Sequence, residues 1–170
     1  MNFPKQEIEA LWSPWRVEYY LAEHGSGRDF FREAALTTDD EAHLVIARRE
    51  TCFLIMNKYP YSCGHLMSVP NRKIAQMEEL EEAEVLDLWN LALRAQKLLR
   101  QVVRAQGFNV GLNLGTAGGA GVADHLHLHI VPRWEGDSNF MPVIGHTRIL
   151  PQALLPLYKM LVAADQALEK

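Results

Sequence analysis

The alternation of apolar and polar positions divides the chain into short strands and two longer helical stretches. Apolar runs at 43–47 and 51–56 flank the charged Arg48–Arg49–Glu50 and predict a β-hairpin. A third strand is expected over His65–Val69, entered through a loop at Asn57–Gly64. In that loop Pro60 lacks a backbone donor and Gly64 permits an unusual dihedral; Pro70 is expected to stop the strand. From about Ile74 to Ala105, Leu80, Leu88, Leu91, Leu98 and Val102 recur at helical spacing and predict one long helix over the sheet. After Gly107, FNVGLNLG reads as a strand, GTAGGAG as a tight connection, and DHLHLHIV as a last strand ended by Pro132. Leu150–Glu169 has a helical pattern, with Pro151 near its start and Pro156 as a point of division.

No repeat or interdomain linker interrupts this order. A single α+β domain over residues 1–170 is therefore expected, its antiparallel sheet covered by the long helix and a C-terminal helix. Residues 1–40 read as an N-terminal extension. Trp12, Trp15, Tyr19 and Tyr20 give it an amphipathic aromatic surface suited to packing on the core or on a partner subunit.

Seventeen Lys or Arg against twenty-one Asp or Glu give a formal charge of -4, which offers no bulk electrostatic footprint for nucleic acid. Only Cys52 and Cys63 are present, too few for a disulfide scaffold, and Cys52 lies in an apolar run where a buried thiol is the expected reading. No basic leader precedes an apolar core, and no apolar stretch is long enough to span a membrane. A cytoplasmic protein is expected.

The candidate chemistry lies in His125–Leu126–His127–Leu128–His129–Ile130. A period of two sends the three imidazoles to one face of a strand and the three aliphatic side chains to the other. Buried imidazoles need both a donor and an acceptor satisfied, so three together call for a function. The spacing leaves open a three-histidine metal site with an activated water, or a phosphoryl- or nucleotidyl-transfer site. Spread over roughly 13 Å at about 3.3 Å per residue, the side chains of a regular strand do not converge on one ion, which disfavours the metal.

HLHLHIVPRW, together with NKYPYSCGHLMSVP and GFNVGLNLG, resembles the histidine triad (HIT) superfamily of nucleotide hydrolases and transferases. LWSPWRVEYY and GDSNFMPVIGHTRILP are similar to its diadenosine-polyphosphate hydrolase and phosphorylase branch. The resemblance implies a HIT-like fold in which His127 attacks the α-phosphorus of a nucleotide, in the neutral form accessible around an ordinary pKa of about 6.5. It further implies that His129 orients and polarises the centre and that His125 assists the phosphate or leaving group. Asn57 would contact substrate or position its loop, Asn113 would lie near the leaving group, and Arg133 would attract phosphate. His65 lines the pocket without assigned chemistry. Gly119 and Gly121, in the glycine-rich loop before the histidines, would surround phosphate oxygens with backbone N–H groups.

The expected substrate is a dinucleoside polyphosphate such as diadenosine tetraphosphate, cleaved by water or by inorganic phosphate. A nucleoside phosphoramidate hydrolase and a non-catalytic nucleotide-binding regulator are the alternatives, and a protein-interaction domain is a third. The resemblance also implies a homodimer in which two sheets join. Members of this branch often hold a structural zinc through a CxxC pair, a further histidine and the first histidine of the triad. This chain instead has Asp29–Ala34 and Asn71–Arg72–Lys73 in those neighbourhoods, so no tightly bound metal or cofactor is expected, and Mg2+ is expected only in association with substrate.

Overall fold

The computed structural model describes residues 29–137 and 153–168; the aromatic opening segment, most of the proposed N-terminal extension, and the FMPVIG segment lie outside them. The first element among the described residues is a helix that the apolar pattern does not announce, α1 (Phe30–Leu36). Asp29 starts it by accepting the Arg32 backbone N–H at 3.1 Å, satisfying one of the donors a helix N-terminus leaves open. Asp39 caps the single turn α2 (Asp40–His43) in the same way. Leu44 then takes a left-handed conformation, φ 58°, and the strand expected from His43 begins at Val45 because the cap has drawn residues 40–43 into a helical turn.

Strands β1 (Val45–Arg48) and β2 (Cys52–Met56) form the expected hairpin, and β3 (Leu66–Pro70) pairs with β2 through five residues. Pro70 is the last paired residue rather than a stop outside the strand. The next strand contacts β3 only through Leu66–Ser68, so the N–H that Pro70 lacks is not needed there. A 3-10 turn (Met77–Glu79) precedes the long helix α3 (Glu82–Val103), which is shorter than the apolar pattern implies. The Glu84 carboxylate accepts the Glu81 N–H at 2.9 Å and fixes the helix start there, while Arg104 at φ 53° ends it.

Strands β4 (Gly107–Leu112) and β5 (Leu128–Arg133) complete an antiparallel sheet in the order β1-β2-β3-β5-β4. Pro132 does not end β5. It pairs opposite Phe108, and β3 has ceased to pair by that point, so its missing donor again goes unclaimed. Helix α4 (Leu154–Leu168) runs unbroken through Pro156, which sits in the first turn where its N–H would have no helical partner.

The sheet has two buried faces. On one, Leu54, Met56, Leu66, Leu128 and Ile130 meet Leu88, Leu91, Leu98 and Leu99 of α3 and Leu157 and Leu161 of α4. Asp165 accepts from Arg94 and joins the two helices. On the other, Phe31 and Ala34 of α1 pack on Val45, Phe53, Ile55, Met67 and Val69. The histidines emerge on this second side, against Phe31.

Candidate active site

The histidine segment is only partly strand. His125, at a bend, and then Leu126 and His127 lead into β5, fastened where the Leu126 N–H donates to the Ile74 carbonyl at 2.6 Å. All three imidazoles are buried, His125 completely and the other two at 7% exposure. Their rings are closer than an even strand spacing suggests: those of His127 and His129 lie 4.8 Å apart, edge to face. Phe31 packs against both His125 (5.3 Å) and His127 (5.0 Å).

The hydrogen bonds fix which nitrogens carry protons. His127 Nδ1 lies 2.8 Å from the His125 carbonyl, which can only accept, so Nδ1 is the protonated nitrogen and Nε2 keeps its lone pair. Burial depresses the His127 pKa below the ordinary imidazole value. The neighbouring His125 adds to this, against an opposing contribution from the bond to the carbonyl. The neutral, nucleophilic form is therefore the resting one near neutral pH.

A second chain of bonds ends at His129. The Tyr61 backbone N–H, which can only donate, reaches His65 Nδ1 at 3.1 Å. His65 must therefore hold its proton on Nε2, which lies 2.9 Å from His129 Nδ1 and donates to it. In neutral His129 the proton is then left on Nε2. Asn113 has its amide 3.4 Å from that nitrogen, and its oxygen is the atom able to accept from it. A nucleophile with a bare Nε2 thus stands beside a ring that presents an Nε2–H.

The remaining expectations fare differently. Asn57 accepts the Tyr59 N–H at 2.8 Å and approaches His65 Nδ1 at 3.2 Å, so it organises the loop and the base of the relay. Arg133 is not brought to the histidines. Four residues beyond His129, roughly 13 Å along the strand at about 3.3 Å per residue, it forks onto Asp137 at 2.6 and 2.7 Å and donates to Asn109. Its charge is spent on an i, i+4 partner.

In the glycine-rich loop the N–H groups of Gly118, Gly119 and Ala120 turn back onto Gly115 and Thr116 carbonyls around a 3-10 turn (Thr116–Gly118). Gly119, at φ 87°, closes that turn, so its own amide is occupied within the loop; Gly121 is exposed a little further on. Three participants escaped the sequence reading: His65 as a relay member, Tyr61 through its backbone, and Phe31 as the wall of the histidines. The Gly64–His65 pair was the available signal for the first; nothing local marks the other two.

His125 donates from Nε2 to the Pro70 carbonyl at 2.9 Å, whereas its buried Nδ1 has no hydrogen-bond partner. Asp29 Oδ1 faces that nitrogen at 3.7 Å. Asp29 Oδ2 lies 2.8 Å from Lys73 Nζ, which also pairs with Asp124 Oδ2 at 2.6 Å. Burial pushes the Asp29 carboxyl up, but bonds from Lys73 and the Arg32 N–H and the charge of Lys73 hold it below the usual carboxylate range. These are the neighbourhoods that would carry the branch's structural zinc. Here an ammonium stands between the carboxylates of Asp29 and Asp124, where a structural zinc would need Cys or His ligands.

Fold and histidine geometry together define the class of histidine-triad nucleotide hydrolases and transferases. The chain belongs to the HIT family, whose domain description matches residues 39–136. It is 40% identical over 166 residues to an AP-4-A phosphorylase of Mycobacterium tuberculosis, covering 92% of this chain and 84% of that protein. It is 29% identical over 93 residues to a bis(5'-nucleosyl)-tetraphosphatase (asymmetrical) of Schizosaccharomyces pombe, covering 55% of this chain and 50% of that one. Among solved structures, a Zn-bound histidine triad family protein from Mycobacterium smegmatis superposes with a TM-score of 0.62 at 23% identity. The match covers 74% of this chain and 86% of that one and shows the shared fold.

Proposed function

We propose that this enzyme cleaves dinucleoside polyphosphates such as diadenosine tetraphosphate by nucleotidyl transfer through His127, with inorganic phosphate as the acceptor. The observation that carries the mechanism is the bond from His127 Nδ1 to its own segment's carbonyl, which leaves Nε2 bare inside a buried site. The choice of phosphate over water follows the likeness to the mycobacterial phosphorylase across most of both chains.

His127 Nε2 forms a bond to the α-phosphorus as the anhydride P–O bond breaks, and the departing nucleoside polyphosphate carries away the electron pair. His129, whose ring lies beside the reacting one, transfers its single Nε2–H hydrogen bond from the Asn113 oxygen, 3.4 Å away before substrate binds, to the phosphoryl oxygens as charge grows on them. Phosphate then attacks the same phosphorus, the P–N bond breaks, and the imidazole is restored. His125 acts through its carbonyl and its packing rather than by direct proton transfer. Asn57 positions the loop, and Gly119 and Gly121 shape the phosphate approach. Mg2+ enters only as a companion of the substrate's phosphates.

The reading extends to a homodimer formed along β4. This strand is a half-exposed sheet edge, with Val110 facing out, whereas the opposite edge is bulged between Val45 and Ala47 and covered where Arg48 bonds to Ala34, Thr37 and Asp40. No described helix is long and apolar enough to cross a membrane, and the cytoplasm is the compartment proposed.

The test incubates diadenosine tetraphosphate with wild-type protein and His127→Ala, with and without phosphate. Phosphate-dependent ADP plus ATP, lost in the variant, is the expected result. ATP plus AMP from water would replace phosphorolysis with hydrolysis, and near-equal turnover by His127→Ala would remove the mechanism.

A further inference from the structure

Outside the relay, an unassigned cluster of charge joins Asp29, Lys73 and Asp124, with Asp29 facing the orphaned nitrogen of His125. Its members come from three separate segments: the cap of α1, the turn after β3, and the last residue before the histidines. Each segment reaches the nucleophile by a different path. Asp29 caps the helix that holds Phe31, itself buried against the rings of His125 and His127. Asp124 precedes the residue whose carbonyl fixes the His127 tautomer. Lys73 adjoins Ile74, whose carbonyl takes the Leu126 N–H, and Pro70 of the same turn takes the His125 Nε2–H.

The geometry points to Lys73 as a positioning residue for catalysis: its ammonium, on a side chain 37% exposed, pairs with carboxylates from the two other segments and so ties all three together. It touches no reacting atom. It acts by keeping the His125 carbonyl and the Phe31 wall in register, so that His127 Nε2 points at phosphorus. A simple surface ion pair, worth about 0–1 kcal/mol, would leave turnover unaltered. The cluster differs from such a pair because one carboxylate both caps a helix and abuts a fully buried imidazole.

The inference rests on His127 as nucleophile, and its test therefore includes a readout independent of turnover. Lys73→Met is expected to lower kcat for cleavage of diadenosine tetraphosphate ten- to a hundredfold with KM within threefold, and Lys73→Arg to return kcat to within threefold of wild type. In 15N-histidine NMR the wild-type His127 is expected as the pure Nδ1–H tautomer and the Met variant as a mixture. Unchanged kcat and an unchanged tautomer in Lys73→Met would overturn the proposal, as would equal losses in the Arg and Met variants. Where Lys73→Met does not fold, Asp124→Asn, which removes one arm at an exposed position, is expected to lower kcat three- to tenfold; wild-type kcat there would be equally decisive against it. Wild-type protein without turnover would refute the proposed function, while the tautomer comparison would still decide the role of Lys73.

Discussion

Replacing His65 by Phe tests whether the relay sets the proton on His129. The substitution keeps a flat ring in a completely buried position while deleting both nitrogens. Three groups lose a partner: the half-buried Asn57 amide, now at 3.2 Å and able to turn to water, and a more costly pair, the Tyr61 N–H, now bonded at 3.1 Å, and His129 Nδ1, now receiving a donor at 2.9 Å. An unsatisfied buried polar group costs about 1–3 kcal/mol, so the pair predicts a loss of roughly 2–6 kcal/mol of stability. The low end is favoured if the loop shifts to let water reach Tyr61. The catalytic effect is separable. Without the His65 donor, His129 is no longer held with its proton on Nε2, and losing one net hydrogen bond of about 0.5–1.5 kcal/mol from that preference predicts a kcat fall of roughly two- to tenfold. Adding imperfect ring placement, the expected fall is about ten- to a hundredfold. Chemical denaturation gives the first quantity and steady-state kinetics on folded protein the second. His65→Phe with kcat within twofold of wild type would refute the relay, even if stability fell as calculated.

Three further outcomes follow from the same site and its loop. Because burial lowers the His127 pKa, the acidic limb of a kcat/KM profile is expected to fall below pH 6.5, activity being full above it and lost as the imidazole protonates; a limb above pH 6.5 assigned to this residue by NMR titration would contradict it. The linked stability has the same sign: the unfolded state binds the proton first, so this contribution is fully present above about pH 6.5 and is lost as pH falls from there toward the lower folded value, measurable as a drop in denaturation midpoint. Gly64→Ala places a Cβ 2.8 Å from Leu99 Cδ2 at φ +80°, and left-handed strain together with overpacking predicts a loss of about 2–4 kcal/mol, read by thermal or chemical unfolding; a change under 0.5 kcal/mol would show that the loop relaxes freely.

The strands and the long helix were legible because their signals are local and periodic. Leu126, Leu128 and Ile130 had to face away from the histidines, and Leu88, Leu91 and Leu98 had to line one helix face. Helix α1 was not legible: seven residues carry too little periodicity, and the deciding contact is the side chain of Asp29, a single cap. The ion pair of Arg133 was hidden for a similar reason. A basic residue after the histidines suggests phosphate until Asp137, four residues on, is seen to claim it. His65 was visible as a member of a glycine–histidine pair, but its partner lies 64 residues away, and no spacing rule announces that contact. The Lys73 cluster was likewise hidden, since three charged residues scattered along a chain look like three solvated side chains until the fold gathers them.

The relay starts from a main-chain amide, and this changes what inheritance can see of the site. A survey of substitutions at position 61 would record how each side chain suits the ring of His65, 4.7 Å from that of Tyr61, yet nineteen of the twenty amino acids retain the N–H that orders the protons beyond it. Proline alone abolishes that donor. Part of the enzyme's acid–base information is thus stored in the path of the backbone, where drift among side chains leaves it intact and ordinary mutational scanning passes over it.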